Sequence, residues 1–165
     1  MPVLPDVLEP GLAVVFVGTA ASRRSAEVGA PYAGPGNRFW DVLYAAGFTP
    51  RRLEPQEFRE LLRYRIGLTG MAPEKIGNDD ILGPGDFDPA GVRAKIEQFA
   101  PRVVAFVGKR AAQEFFGKPR VEYGLQAERL GKTAFYVLPS PSGAARRYWD
   151  EVPWRALRAY VDQME

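Results

Sequence analysis

An apolar run cut off by glycine occurs twice in this chain, as LAVVFVG (Leu12–Gly18) and as VVAFVG (Val103–Gly108), and it limits what the chain can become. Six consecutive apolar residues, mostly β-branched or aromatic at their core, precede Gly18. Such a run suits a strand covered on both faces, as in the interior of a parallel sheet. A third run, Ala134–Leu138, ends in PSPSGAARR, Pro139–Arg147. In parallel α/β sheets ligands bind beyond the carboxyl ends of the strands. The loops that begin at Gly18, Gly108 and Pro139 are therefore expected along one edge, where chemistry is to be sought.

Helical signals lie between and after these runs. Asn37 is placed to cap a helix in which Phe39, Val42, Leu43 and Ala46 keep helical spacing and Gly47 ends the element. Phe58, Leu61 and Leu62 mark a second, short helix. Asp88 followed by Pro89 reads as a cap and a first-turn proline, and Val92, Ile96 and Phe99 supply the buried stripe. VVAFVG passes into a helix over Lys109–Phe116, and Leu157, Tyr160, Val161 and Met164 define a C-terminal one. The alternation predicts an α/β fold, a three-layer α/β/α sandwich with a mainly parallel central sheet. With 165 residues, 46% of them hydrophobic, a single domain over residues 1–165 is the default. Residues 1–10 hold three prolines and read as an extended N-terminal arm. The segment from about Ile66 to Phe87, with five glycines and two prolines, reads as a connector. Loops longer than roughly 12 to 15 residues tend to be functional or mobile, so this one invites a search for catalytic groups.

Composition then narrows the chemistry. The chain has no cysteine and no histidine. Thiol nucleophiles, disulfides, iron–sulfur ligation, zinc sites built on Cys or His, and any Ser-His or Cys-His relay are excluded. Carboxylates, hydroxyls, amines and backbone dipoles remain. No metal or organic cofactor is expected. No apolar run approaches the roughly 20 residues of a membrane span, and MPVLPDVLEP lacks a cationic segment followed by a long apolar one, so a cytoplasmic protein without membrane contact is expected. The formal charge is only +2, yet arginines come in pairs at Arg23–Arg24, Arg51–Arg52 and Arg146–Arg147. Such pairs suit a polyanion, although they also solvate surfaces.

Three constellations stand out. GTAAS, Gly18–Ser22, puts small residues where a strand meets its loop, so that backbone amides can meet an anion or a base edge. It is neither a Walker loop nor a GxGxxG fingerprint, and on its own a strand-ending glycine is more often purely structural. PSPSGAARR combines a proline-stiffened loop, a glycine that permits close approach and two adjacent arginines, a shape suited to a DNA groove, or simply a turn. GAPYAGPGNRFW, Gly29–Trp40, sets one aromatic, Tyr32, among glycines and prolines, where it can stack on a base or cover the core.

Together PGNRFW (Pro35–Trp40), VVAFVGK (Val103–Lys109) and SPSGAAR (Ser140–Arg146) resemble the mismatch-specific uracil/thymine DNA glycosylases of the uracil-DNA glycosylase superfamily, over about Leu12 to Gln163. The resemblance implies a monofunctional enzyme of base excision repair. It flips uracil, with thymine or damaged pyrimidines as further candidates, out of a mismatch with guanine and hydrolyses the N-glycosidic bond. Its partner is double-stranded DNA with a mismatched or damaged base, and a monomer is expected. The base pocket falls to Gly18, Thr19, Ala20, Ser25, Tyr32 and Ser140. Within it Tyr32 matches the stacking aromatic, Thr19 a site of backbone contact to the base, and Ser25 a position near C5 of the pyrimidine. Ser142, Gly143, Ala144, Ala145 and Arg146 fall in the loop that enters the helix, with Ala144 filling the gap left by the extruded nucleotide.

Two departures from the family pattern matter. The family's first motif reads GINPG and its asparagine positions the attacking water, but here Ala20 occupies that place and cannot hold a water. The wedge is alanine where a leucine-like side chain is usual, so extrusion must lean on the weakness of a mispair. Cleaving the glycosidic bond builds oxocarbenium character at the sugar, which a carboxylate can stabilise while taking a proton from water. GNDDILG, Gly77–Gly83, offers Asp79 or Asp80 as the replacement for the missing asparagine, unless the segment is merely an Asx turn. Asp86 and Asp88 are weaker candidates, and Glu27, in the first loop, is the other carboxylate to consider. Two rivals remain: a catalytically impaired mismatch-binding DNA module, and a nucleotide-binding α/β protein that uses GTAAS for phosphate.

Overall fold

Each of the three apolar runs forms a buried parallel strand in the computed structural model, which describes residues 1–164. These are β1 (Val14–Gly18), β3 (Val103–Val107) and β5 (Thr133–Leu138), buried along their whole length. In β1 the side chains alternate between two apolar clusters, Val14 and Phe16 joining one, Val15 and Val17 the other. That is the period-two signature of a strand with helices on both faces. On the first face Phe16 meets Phe39 of α2 (Phe39–Ala45) and Trp154 of α5 (Val152–Met164), at ring separations of 5.5 and 5.7 Å. On the second face Val15 and Val17 share a cluster with Val92 and Ile96 of α3 (Pro89–Phe99) and with Ala111 and Ala112 of α4 (Lys109–Phe116). The three-layer α/β/α sandwich follows.

Among the described residues five strands form the sheet, β2 (Ile66–Gly70) and β4 (Gly124–Leu130) joining the other three in the order β2-β1-β3-β5-β4. Two of them were hidden in the sequence. β2 lies within the expected connector and pairs parallel to β1, with Gly18 opposite Gly70. Its glycines mask the strand pattern for a steric reason: a Cβ on Gly67 would lie 2.6 Å from the Val7 carbonyl oxygen. β4 pairs antiparallel to β5 at the opposite edge and alternates between half-buried and exposed residues. The sheet is therefore mainly, not wholly, parallel.

Local chemistry explains the remaining elements. Asp88 accepts from the Gly91 amide at 3.0 Å, with Pro89 in the first turn, as expected of a helix cap. Asn37 caps less directly than expected, because α2 begins at Phe39 and the Asn37 side chain accepts from the Phe39 amide at 2.9 Å. The region after GTAAS holds a short helix, α1 (Arg23–Val28), capped by Ser22, and the short helix expected around Phe58 is a 3₁₀ helix, Pro55–Tyr64. The N-terminal arm is pinned to β2: Val7 and Leu68 exchange backbone hydrogen bonds of 2.9 and 2.8 Å. That covers an edge strand which would otherwise offer unpaired amides. Among the described residues no helix is long and apolar enough to cross a membrane.

Candidate active site

Beyond the carboxyl ends of β1 and β2 lies an open cavity of about 450 Å³. The β1 loop supplies Gly18, Thr19 and Ala20, and the segment after β2 supplies Asn78, Asp79 and Asp80. Tyr32 and Ser25 come from the α1 region, and Ser140, Ser142, Ala144 and Ala145 from the loop after β5. Residues distant in sequence converge here because β1 and β2 are adjacent: their paired ends release two loops side by side. The segment after β2 then follows the β1 loop, with the Met71 amide donating to the Gly18 carbonyl at 2.8 Å and Gly77 to Ala21 at 2.9 Å.

That alignment delivers a carboxylate. The Thr19 hydroxyl donates to Oδ1 of Asp79 at 2.6 Å, across 60 residues of sequence, next to the alanine that cannot hold water. Asp80 also lines the cavity but is exposed. The other acidic candidates are engaged elsewhere. Asp86 accepts from the Gly83 amide at 2.9 Å and lies 3.7 Å from Lys75. Asp88 caps α3, and Glu27 pairs with Arg24 at 3.8 Å outside the cavity.

Tyr32 has left-handed backbone geometry, with φ 55°, and its ring stacks on Phe39 at 3.9 Å and 17°. One ring face is thus spent on the core, leaving the other face and the edge to the cavity. Its hydroxyl approaches Gly18 so closely that a Cβ there would lie 2.7 Å away. Burial first, and the negative charge of Asp79 second, push the Tyr32 phenol well above the usual tyrosine range. It stays a neutral hydrogen-bond donor. Ser25 is 1% exposed, and its hydroxyl accepts from the Ala33 amide at 3.0 Å and lies 3.1 Å from the Ser22 hydroxyl. Its hydroxyl is committed to tying α1 to the loop that carries Tyr32.

The loop after β5 is braced from beneath. Arg38 donates its amide to the Pro141 carbonyl at 2.9 Å, and a Cβ on Gly143 would lie 2.9 Å from the Pro35 carbonyl oxygen. PGNRFW and SPSGAAR are therefore two halves of one packed unit. Ser142 caps the following 3₁₀ turn, Gly143–Tyr148, by accepting from the Ala144 amide at 3.2 Å, which presents Ala144 to solvent at the cavity wall. Arg146 lies on this turn, exposed, and does not line the cavity. A second groove of about 420 Å³ adjoins the first, lined by Arg23, by Arg24 with its partner Glu27 and by Gly143, and sharing Ser22, Asn37, Asn78, Ser142 and Ala144 with it.

Sequence reasoning missed the wall formed by Val3, Leu4, Pro5 and Asp6. Asp6 accepts from the Thr69 hydroxyl at 2.8 Å and pairs with Lys95 at 2.6 Å, so its charge is compensated. Prolines announce an extended arm but not its destination. Among the described residues no group of three or more acidic side chains is arranged to hold a metal ion.

A mainly parallel α/β/α sheet carries a cavity at its strand ends, bordered by a groove that Arg23, Arg24 and Glu27 line. The chain belongs to the uracil DNA glycosylase superfamily, whose family model matches residues 5–162. Membership supports a DNA glycosylase role. The fold is also that of a solution NMR structure from Methanosarcina acetivorans, provisionally named a uracil DNA glycosylase. The two share 23% identity over 96% of each chain, with a TM-score of 0.61.

Proposed function

We propose that this protein is a monofunctional glycosylase for mismatched DNA that extrudes uracil from opposite guanine and hydrolyses its N-glycosidic bond, with Asp79 in place of the family's asparagine. The observation that carries the reading is the Thr19–Asp79 hydrogen bond, which sets a carboxylate in the cavity wall beside Ala20. With Oδ1 held by Thr19, Oδ2 is the oxygen left to orient a water and take its proton. The same charge stabilises the oxocarbenium-like sugar. Tyr32 provides a rigid stacking surface, and its neutral hydroxyl adds no second negative charge beside the departing anionic base. Small residues from Gly18 to Ala21 let that base approach backbone dipoles that stabilise it.

Ala144 fills little of the gap in the duplex, so extrusion draws on the weakness of the mispair. Flipping costs a few kcal/mol and least where pairing is already poor. The order of substrates follows: G·U above A·U, with thymine and damaged pyrimidines opposite guanine as further substrates. Ala20 favours a second reading, a module that binds mismatches without cleaving them.

Incubation of the protein with duplexes containing G·U, G·T or A·U, and with single-stranded uracil DNA, separates the two. Alkali-labile sites appearing fastest in G·U support the glycosylase. Saturable binding of G·U without base release supports the binding module.

A further inference from the structure

Asp79 sits on a segment that has little holding it from within. Its 3₁₀ turn, Asp79–Ile81, is a single turn lying between Gly77 and Gly83, and Ile81 is 69% exposed. The bond that closes it, from the Leu82 amide to the Asp79 carbonyl, is long at 3.3 Å. What fixes the turn comes from another element. Arg110, in the first turn of α4, donates Nη1 to the Asp79 carbonyl and Nη2 to the Leu82 carbonyl, each at 3.0 Å.

The guanidinium is itself immobilised. Its Nε donates to Glu114 one helical turn on, at 3.1 Å, and its plane lies over Phe87 at 4.8 Å. α4 in turn is seated on the sheet through Ala111 and Ala112, both 0% exposed. We infer that Arg110 is a positioning residue for Asp79: its fork grips the two ends of the turn and sets the distance and direction of the carboxylate toward Thr19 and the cavity. A circuit closes from β1 through Thr19, Asp79, Arg110 and α4 back to the sheet, so the turn is held from both sides by rigid elements. Lysine cannot substitute fully, since it is a point charge without the planar two-pronged geometry. The inference rests on Asp79 acting in hydrolysis.

A double-mutant cycle tests it with Arg110→Ala, Arg110→Lys, Asp79→Asn and the Arg110→Ala/Asp79→Asn double variant. The readouts are the single-turnover rate of uracil release from a G·U duplex, the Kd for a cleavage-resistant 2′-fluorinated uracil duplex, and backbone hydrogen exchange at residues 79–82. A misplacement of about 1 Å costs on the order of 100-fold. Arg110→Ala is therefore expected to slow release by about 10- to 100-fold, with Kd almost unchanged and exchange at the turn accelerated. Arg110→Lys recovers part of the rate and also serves where the alanine variant fails to fold. In the Asp79→Asn background the same change costs little, because groups acting as one unit are not additive.

An unchanged rate in Arg110→Ala overturns the inference, as does an equal loss in both backgrounds or a loss confined to Kd. If Asp79→Asn is slow while both Arg110 variants run at the wild-type rate, only the role of Arg110 fails. If Asp79→Asn is as fast as wild type, the proposed hydrolysis by Asp79 fails and this inference with it.

Discussion

At the scale of single residues the cavity is set by contacts that leave no room for a methyl group. A Cβ on Gly18 would lie 2.7 Å from the Tyr32 hydroxyl, on a ring already stacked against Phe39. Gly18→Ala should therefore tilt Tyr32 and weaken binding of a uracil duplex by about tenfold, the effect of losing roughly 1.4 kcal/mol of stacking. A titration of duplex affinity checks it. Tyr32 also predicts a pH response. Its phenol is raised by burial and by Asp79, so its contribution to stability is complete below the ordinary tyrosine value of about 10 and is lost as the pH climbs through the higher folded-state value. Tyr123 and Tyr136 are also raised, so the comparison must be internal. Wild type should lose melting temperature more steeply than Tyr32→Phe above about pH 10. That Tyr32 and Ala20 share one cavity wall was legible from motif position. Which of Asp79 and Asp80 meets Thr19 was not, because adjacent residues in a turn point in different directions that the sequence does not fix. Nor did sequence disclose that the Ser25 hydroxyl is taken up by Ser22 and the Ala33 amide.

At the scale of elements, what sequence hid was hidden by packing. β1, β3 and β5 announced themselves because both faces are buried and every position is apolar. β2 did not, since the arm crosses so near that Gly67 has no space for a side chain and Gly70 would press a Cβ to 2.8 Å from the Thr19 carbonyl oxygen. Removing side chains removes the pattern by which a strand is recognised. The place of the arm in the cavity wall depends on its pairing with β2 through Val7, which its prolines do not announce. The unit formed by PGNRFW and SPSGAAR makes a prediction at this scale. Gly143→Val would drive a side chain into the Pro35 carbonyl oxygen and separate the two segments. Affinity for a mismatched duplex should fall by about tenfold, worth roughly 1.4 kcal/mol. The melting temperature should change little, because the segment is at the surface. Affinity equal to wild type would show that the bracing is unimportant for DNA.

At the scale of the whole molecule the site is a product of topology. Thr19 and Asp79 are 60 residues apart and meet because β2 joins the sheet beside β1 rather than beyond β3. The three-layer sandwich and the common edge of the loops after Gly18, Gly108 and Pro139 could be anticipated from repeated apolar runs. The order of strands could not, since β2 was unrecognised, and with it went any reason to favour one aspartate. On the proposed reading Ala20 leaves the water without the asparagine that the resemblance implies, so another polar group must hold it, and Asp79 is the one that Thr19 meets in the cavity wall. The decisive measurement is the single-turnover rate of uracil release from a G·U duplex for Asp79→Asn and Asp80→Asn beside wild type, with duplex Kd measured in parallel. Loss of a positioned general base costs about 10²- to 10⁴-fold. Asp79→Asn should lose rate on that scale with its affinity retained, while Asp80→Asn stays close to wild type. A wild-type rate in Asp79→Asn would contradict the account.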